Sequence, residues 1–223
     1  MLKKEALETI EQTIGYQFKD KQLISQAFTR SSYHYEHPEE QSNEVMEFVG
    51  DSVLSLLVVD NLLDRYTDKD GSGLYSCLNE GDFSSIRSFM VNKSFLAKKM
   101  RKLALHQFLR MSIGDEKQGI EKSISVLEDL FESIVGAIYL DVGRNLNKTK
   151  KIVLPLLEIE NDEISSVALD GFRLAIYRKK VILNYFSFLI SLINSSLSSS
   201  RSTCSNNSSP EVNFLSLFFI SSS

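Results

Sequence analysis

The stretch NEVMEFVGDSVLSLLVVD, residues 43–60, is apolar enough for a buried helix, yet it carries Glu44, Glu47 and Asp51. At about 100° per residue these carboxylates fall within roughly a 60° arc of one helix face. Val45, Met46, Phe48, Val49, Val53, Leu54, Leu56 and Leu57 fill the remaining faces. Taking an unpaired carboxylate out of water costs several kcal/mol, and like charges on adjacent turns repel. Something positive must therefore meet this stripe. One reading is a helix N-terminus whose acids suit the dipole, with Asp51 paired to a basic residue; the other is a bound cation.

A second apolar segment repeats the pattern. SISVLEDLFESIVGAIYLD, residues 123–141, holds Asp129 and Glu132 three positions apart, hence on one face, among Val126, Leu127, Leu130, Phe131, Ile134, Val135 and Ile138. Glu128 lies about 100° away on another face. If the two stripes face each other, several carboxylates converge, and neither helix carries a basic cluster of matching size. A hard divalent cation, Mg²⁺ with Mn²⁺ as substitute, is the natural counter-charge. Carboxylate cages holding such ions suit phosphodiester hydrolysis. A di-iron bundle is the competing reading, but it needs Glu-x-x-His pairs, and neither segment contains histidine.

Composition sets the frame. The chain has 223 residues, 43% of them hydrophobic, enough for one sizeable core with or without an appendage. Cys77 and Cys204 lack the spacing of a zinc site or a disulfide framework, and His34 and His37 have no cysteine or further histidine nearby, which argues against a metal role there. The N-terminus is an amphipathic helix pattern without the apolar core of a signal peptide. A cytoplasmic location, or a nuclear one in a eukaryote, is the expectation.

Helical periodicity dominates the first 158 residues. Helices are expected over 2–14, over 19–29 with Asp20 as cap, from 43 to about 66, over 82–105 as one or two pieces, and over 123–143. Residues 30–43, 67–81 and 112–123 read as loops, the second on account of Gly71, Gly73 and Gly81. No alternating strand pattern and no repeat emerges, so the fold class is all-α. The expected organisation is a domain over 1–160, a linker or helical appendage over 161–194, and a Ser/Asn-rich disordered tail over 195–223. The apolar run 181–193 is shorter than the roughly 20 residues of a membrane span, and membrane attachment is not expected.

Four segments, in order, resemble the ribonuclease III family. NEVMEFVGDSVLSLLV is similar to its N-E-R-L-E-F-L-G-D-S-V-L motif. GYQFKDKQLISQAFTRSSY resembles its N-terminal helix pair, and EGDFSSIRSFMVNKSFLA its E-G-x-L-S-x-x-R-x-x-L-V segment. SISVLEDLFESIVGAIYLD resembles its S-I-L-A-D-x-x-E-A-x-I-G-A-I-Y-L-D helix. Together they cover roughly residues 6–158. The resemblance implies an all-α endonuclease domain that works as a homodimer and hydrolyses double-stranded RNA to 5′-phosphate and 3′-hydroxyl ends, in RNA processing such as ribosomal RNA maturation. It implies that Glu47, Asp51, Asp129 and Glu132 bind the metal and that Glu44 borders the cleavage site. It places Glu80 one step removed from the metal, and it makes Phe48 a contact inserted into the partner subunit. Phe48, about 40° from the acidic stripe, is otherwise an ordinary core residue.

Departures accompany the resemblance. Arg30 stands where the family usually has histidine, residues 67–79 form a longer link, and a double-stranded-RNA-binding domain is not expected in residues 170–223. The alternative function is a non-catalytic ribonuclease III-like module serving a larger assembly. Residues 171–223 carry five basic side chains and one acidic, leaving residues 1–170 with a net charge of −8. Such a body attracts phosphate weakly by bulk charge, so RNA affinity is expected to depend on Mg²⁺ or on an RNA-binding partner protein.

Overall fold

Two glycines decide how the molecule is assembled. A Cβ built on Gly50 would lie 1.8 Å from the backbone oxygen of Glu132, and one built on Gly136 would lie 2.2 Å from that of Met46. The helices carrying these residues, α4 (Glu44–Tyr66) and α8 (Ile124–Asp141), therefore cross with their backbones in contact. A side chain at either position would hold them apart. In the computed structural model, which describes residues 1–76 and 78–157, this crossing is the centre of the fold.

The other elements are disposed around this pair. They are α1 (Lys4–Ile14), α2 (Lys21–Ala27), α3 (Ser31–Glu36), strands β1 (Thr67–Asp70) and β2 (Gly73–Ser76), α5 (Glu80–Met90), α6 (Lys93–Leu103), α7 (Ile113–Gln118) and α9 (Leu146–Leu157), with single 3₁₀ turns at Leu105–Phe108 and Ile120–Lys122. Helix α8 packs against α2, α4, α6 and α9. It is accordingly buried nearly all round: Leu127, Leu130, Val135, Ala137 and Ile138 are fully enclosed, with Leu54 and Leu57 of α4, Leu96 and Met100 of α6 and Ile24 of α2. This explains the near-continuous apolar character of the segment, since a helix covered on every side has no polar face to present.

Local signals set the helix ends. The Asp20 side chain accepts from the Gln22 N–H, as expected of its capping role. Asn79 and Asp82 form a reciprocal capping box at the start of α5, and Asn92 and Ser123 cap α6 and α8. Asp141, at the last turn of α8, accepts hydrogen bonds from the Tyr16 hydroxyl at 2.6 Å and from the backbone N–H groups of Lys19 and Asp20 at 3.0 and 2.8 Å. The connection between α1 and α2 is thereby fastened to the core helix.

Three expected loops contain regular structure. Residues 67–81 hold an antiparallel hairpin, pairing Thr67 with Ser76 through Asp70 with Gly73. Among the strand residues whose burial is described none is buried, Leu74 and Tyr75 being exposed, so no apolar alternation announces them. Helices α3 and α7 are six residues each and bury no side chain, which leaves no periodic stripe to read. The expected helix over 82–105 begins at Glu80 and is broken at Val91 and Asn92 into α5 and α6. The fold remains all-α apart from the small hairpin. Among the described residues no helix is long and apolar enough to cross a membrane. The appendage over 161–194 with its apolar run, and the tail over 195–223, lie outside the described residues.

Candidate active site

The glycine crossing decides where the acids lie. Gly50 directly precedes Asp51, and the oxygen it abuts belongs to Glu132, so Glu47 and Asp51 of α4 are set beside Asp129 and Glu132 of α8. Their mutual influence is plain in their protonation. Burial, then Asp51, Glu128, Glu47 and Asp129 in that order, push the Glu132 carboxyl up to about 8. Burial and then Asp129, Glu44 and Glu128 raise Glu47, with Lys93 opposing. Burial and Glu128 raise Asp129, with Lys93 and Arg30 opposing. Carboxyls shifted upward together are the mark of like charges held close in a poorly solvated place.

A second tie crosses the same pair of helices. Asn43, buried immediately before α4, donates from its side-chain amide to the Ser133 hydroxyl at 3.1 Å. Its backbone N–H donates to the Thr29 carbonyl at 2.7 Å. Ser133 follows Glu132, so this hydrogen bond sets the rotation of α8 relative to the start of α4. Beside it lies a recess of about 150 Å³ lined by Arg30, Asn43, Glu44, Glu47, Val126 and Asp129 among others. Glu44 is exposed at its rim, and one of its oxygens accepts from the Ser42 hydroxyl at 2.9 Å.

Two cations and one further acid complete the neighbourhood. Lys93, the first residue of α6, meets Glu128 at 2.6 Å. Glu128, about 100° from Asp129 and hence expected on another face, lies only about 40° from Glu132, four residues on; it is 8% exposed and bears on Glu47, Asp129 and Glu132. Arg30 reaches Asp115 at 3.4 Å through Nε and faces the recess. Neither cation lies in the acidic helices, which is why inspection of those helices alone does not find them. Glu80 is exposed at the first turn of α5 and is not among the charges that act most on Glu132.

The donor set suits a hard divalent ion: oxygen ligands, four of them from two rigid helices, in excess over the cations nearby. As the side chains stand, no group of three or more His, Cys, Asp or Glu among the described residues is gathered tightly enough to hold an ion.

Phe48 is 76% exposed, and Val45 and Leu56 on the same helix are 65% and 50% exposed. That excludes the core-residue reading and leaves an apolar strip on α4 open to solvent next to the acids.

Residues 20–157 match the family model described as ribonuclease-III-like. The chain belongs to the ribonuclease-III-like family. Among its relatives, ribonuclease 3 of Treponema succinifaciens is 42% identical over 151 residues, 68% of this chain and 41% of that protein. Ribonuclease 3 of Campylobacter concisus is 37% identical over 153 residues, 69% of this chain and 62% of that one. The chain thus spans about half the length of the curated relatives it matches. The solved nuclease domain of ribonuclease III from Campylobacter jejuni is 37% identical, with a TM-score of 0.57 over 68% of this chain and 92% of that one. A second structure of that domain, with a TM-score of 0.58, is described as flexible in a region involved in dimer formation. The stretch matching the ribonuclease-III-like model contains both acidic helices and the glycine crossing, and it ends where the described residues end.

Proposed function

We propose that this chain is a metal-dependent endoribonuclease that hydrolyses double-stranded RNA, leaving 5′-phosphate and 3′-hydroxyl ends, and that it acts as a homodimer. The observation that carries the reading is the crossing of α4 and α8 at Gly50 and Gly136, which brings two carboxylates from each helix into one half-buried cluster. Glu47, Asp51, Asp129 and Glu132 would hold Mg²⁺ or Mn²⁺, with Glu44 bordering the phosphate. The chemistry such an ion supplies is acidification of water and neutralisation of charge on the phosphate.

The protein's own part is to hold in place the two backbones that carry the acids. Backbones in contact cannot drift, so the acids keep their spacing before any ion arrives. Burial raises the proton affinity of Glu47, Asp129 and Glu132, so a bound cation would have to displace a proton, and its binding would strengthen as pH rises. The open apolar strip of Phe48, Val45 and Leu56 supports a self-associating face beside the cluster, which would set two sites along one duplex. With an acidic body, RNA is held by the ion and by local cations, or with help from a partner that carries basic surface. Ribosomal RNA maturation is the kind of processing this activity fits.

The test is incubation of the purified chain with long double-stranded RNA, with and without Mg²⁺, followed by analysis of product ends. Mg²⁺-dependent cleavage to 5′-phosphate and 3′-hydroxyl ends is expected. Binding without cleavage at millimolar Mg²⁺ or Mn²⁺ would overturn it in favour of a non-catalytic module.

A further inference from the structure

We infer that Lys93 is a phosphate-contacting residue of the cleft, held toward the acids by Glu128; this deepens the nuclease reading and rests on it. The ion pair between Lys93 Nζ and Glu128 Oε2 is 2.6 Å long, and its two ends are unlike. The Glu128 side chain is 10% exposed and that of Lys93 is 67% exposed. Solvent-exposed pairs contribute little to stability, but here one partner is anchored on the central helix among three other carboxylates. A buried carboxylate in such company needs a cation, and the cation it has chosen comes from the first turn of a different helix.

The consequence is directional. An ammonium has three donors, and the contact with Glu128 occupies one side. The remainder faces solvent over a cluster where Asp129 and Glu132 also act on it. A phosphate oxygen drawn to ions held by Glu47, Asp51, Asp129 and Glu132 would find the Lys93 ammonium at the edge of the same cluster, and a charge-assisted hydrogen bond follows. Arg30, the other cation nearby, is less suited: its side chain is 25% exposed and committed to Asp115. The position of Glu128 is itself unusual, because the motif this helix resembles has alanine there. Glu128 and Lys93 thus read as one device: a buried acid that fixes the direction of an exposed base. Glu128 is a positioning residue and does not touch RNA.

The experiment uses the full chain. Lys93→Ala, Lys93→Arg and Glu128→Ala are compared with wild type for thermal stability, for duplex binding with Ca²⁺ replacing Mg²⁺, and for kcat and KM in Mg²⁺. A phosphate contact predicts that Lys93→Ala lowers the slope of log Kd against log salt by about 0.9 for each Lys93 engaged and raises KM several-fold. Lys93→Arg restores both. Glu128→Ala gives a smaller loss of the same kind, since the ammonium remains but is no longer aimed. Unchanged salt slope and KM in a folded Lys93→Ala would overturn the inference, as would failure of Lys93→Arg to rescue. Thermal stability identifies a variant that is merely unfolded, and Lys93→Arg, which keeps the charge that neutralises Glu128, then decides. A wild type that binds duplex RNA without cutting it would instead overturn the nuclease reading, and the Ca²⁺ binding arm would still report on Lys93.

Discussion

The Cα of Gly50 rests against the backbone carbonyl of Glu132, with room for a hydrogen and for nothing larger. Gly50→Ala must therefore push α8 away from α4. Overpacking of this kind costs about 1–3 kcal/mol, and the upper end applies where the obstacle is backbone that cannot rotate aside. Denaturant titration of the variant should show that loss, and cleavage should fall more than stability does, because the acids separate with the helices. A Gly50→Ala protein with wild-type midpoint and rate would contradict the close crossing.

Glu132 makes stability depend on pH. Its carboxyl is raised to about 8 in the native fold, against an ordinary value near 4.3 in an unfolded chain. The folded state binds the extra proton between these values, so the contribution is full below about pH 4.3 and is lost as pH rises toward about 8. The difference in metal-free stability between wild type and Glu132→Gln should move in favour of the glutamine variant across that window. Addition of Mg²⁺ at pH 8 should stabilise wild type and leave Glu132→Gln less affected, as thermal melts at several pH values would reveal.

Removing one carboxylate of the cluster should separate catalysis from folding. Asp51→Asn subtracts a negative charge from a repulsive cluster, so its melting temperature without metal should equal or exceed that of wild type. Cleavage of duplex RNA should disappear at millimolar Mg²⁺. Full activity in both Asp51→Asn and Glu132→Gln would defeat the carboxylate assignment.

Phe48 tests assembly. Truncating a side chain that is 76% exposed should leave the helix content of the protomer untouched. If the strip is a self-association surface, Phe48→Ala removes an aromatic anchor from each protomer, each worth about 2 kcal/mol or more at the centre of an interface, and dimerisation weakens by at least about thirtyfold. Light scattering across a concentration series measures this; a monomeric, fully active wild type would exclude the dimer.

The two acidic stripes are legible in the sequence because helical spacing alone groups Glu47 with Asp51 and Asp129 with Glu132, and apolar neighbours mark their helices as buried. Their meeting is less legible, since it depends on Gly50 and Gly136 lying opposite backbone from a helix some eighty residues away. Glu128 escapes only a reading taken from Asp129, from which it is about 100° away; four residues before Glu132, it lies about 40° from that residue and so at the edge of the same stripe. Lys93 escapes because its partner is distant in sequence and nothing in its own segment marks it. The hairpin and the short helices α3 and α7 stay hidden for a simpler reason: elements that bury no side chain leave no apolar periodicity behind.

Asp141 has a bearing on the chemistry that its distance conceals. Near Asp129 and Glu132, α8 is held to α4 by the glycine crossing and by the Asn43–Ser133 hydrogen bond, and its close-packed side chains resist axial sliding. Slippage by one turn, about 5.4 Å, would carry Asp129 and Glu132 past their opposite numbers on α4. The three hydrogen bonds that Asp141 accepts from Tyr16, Lys19 and Asp20 act as a stop at the far end of the helix, roughly 18 Å from Asp129 at 1.5 Å per residue. The N-terminal segment of the chain, remote from the acidic cluster, thus gives α8 a second anchor point, so that the helix carrying Asp129 and Glu132 is pinned at two points.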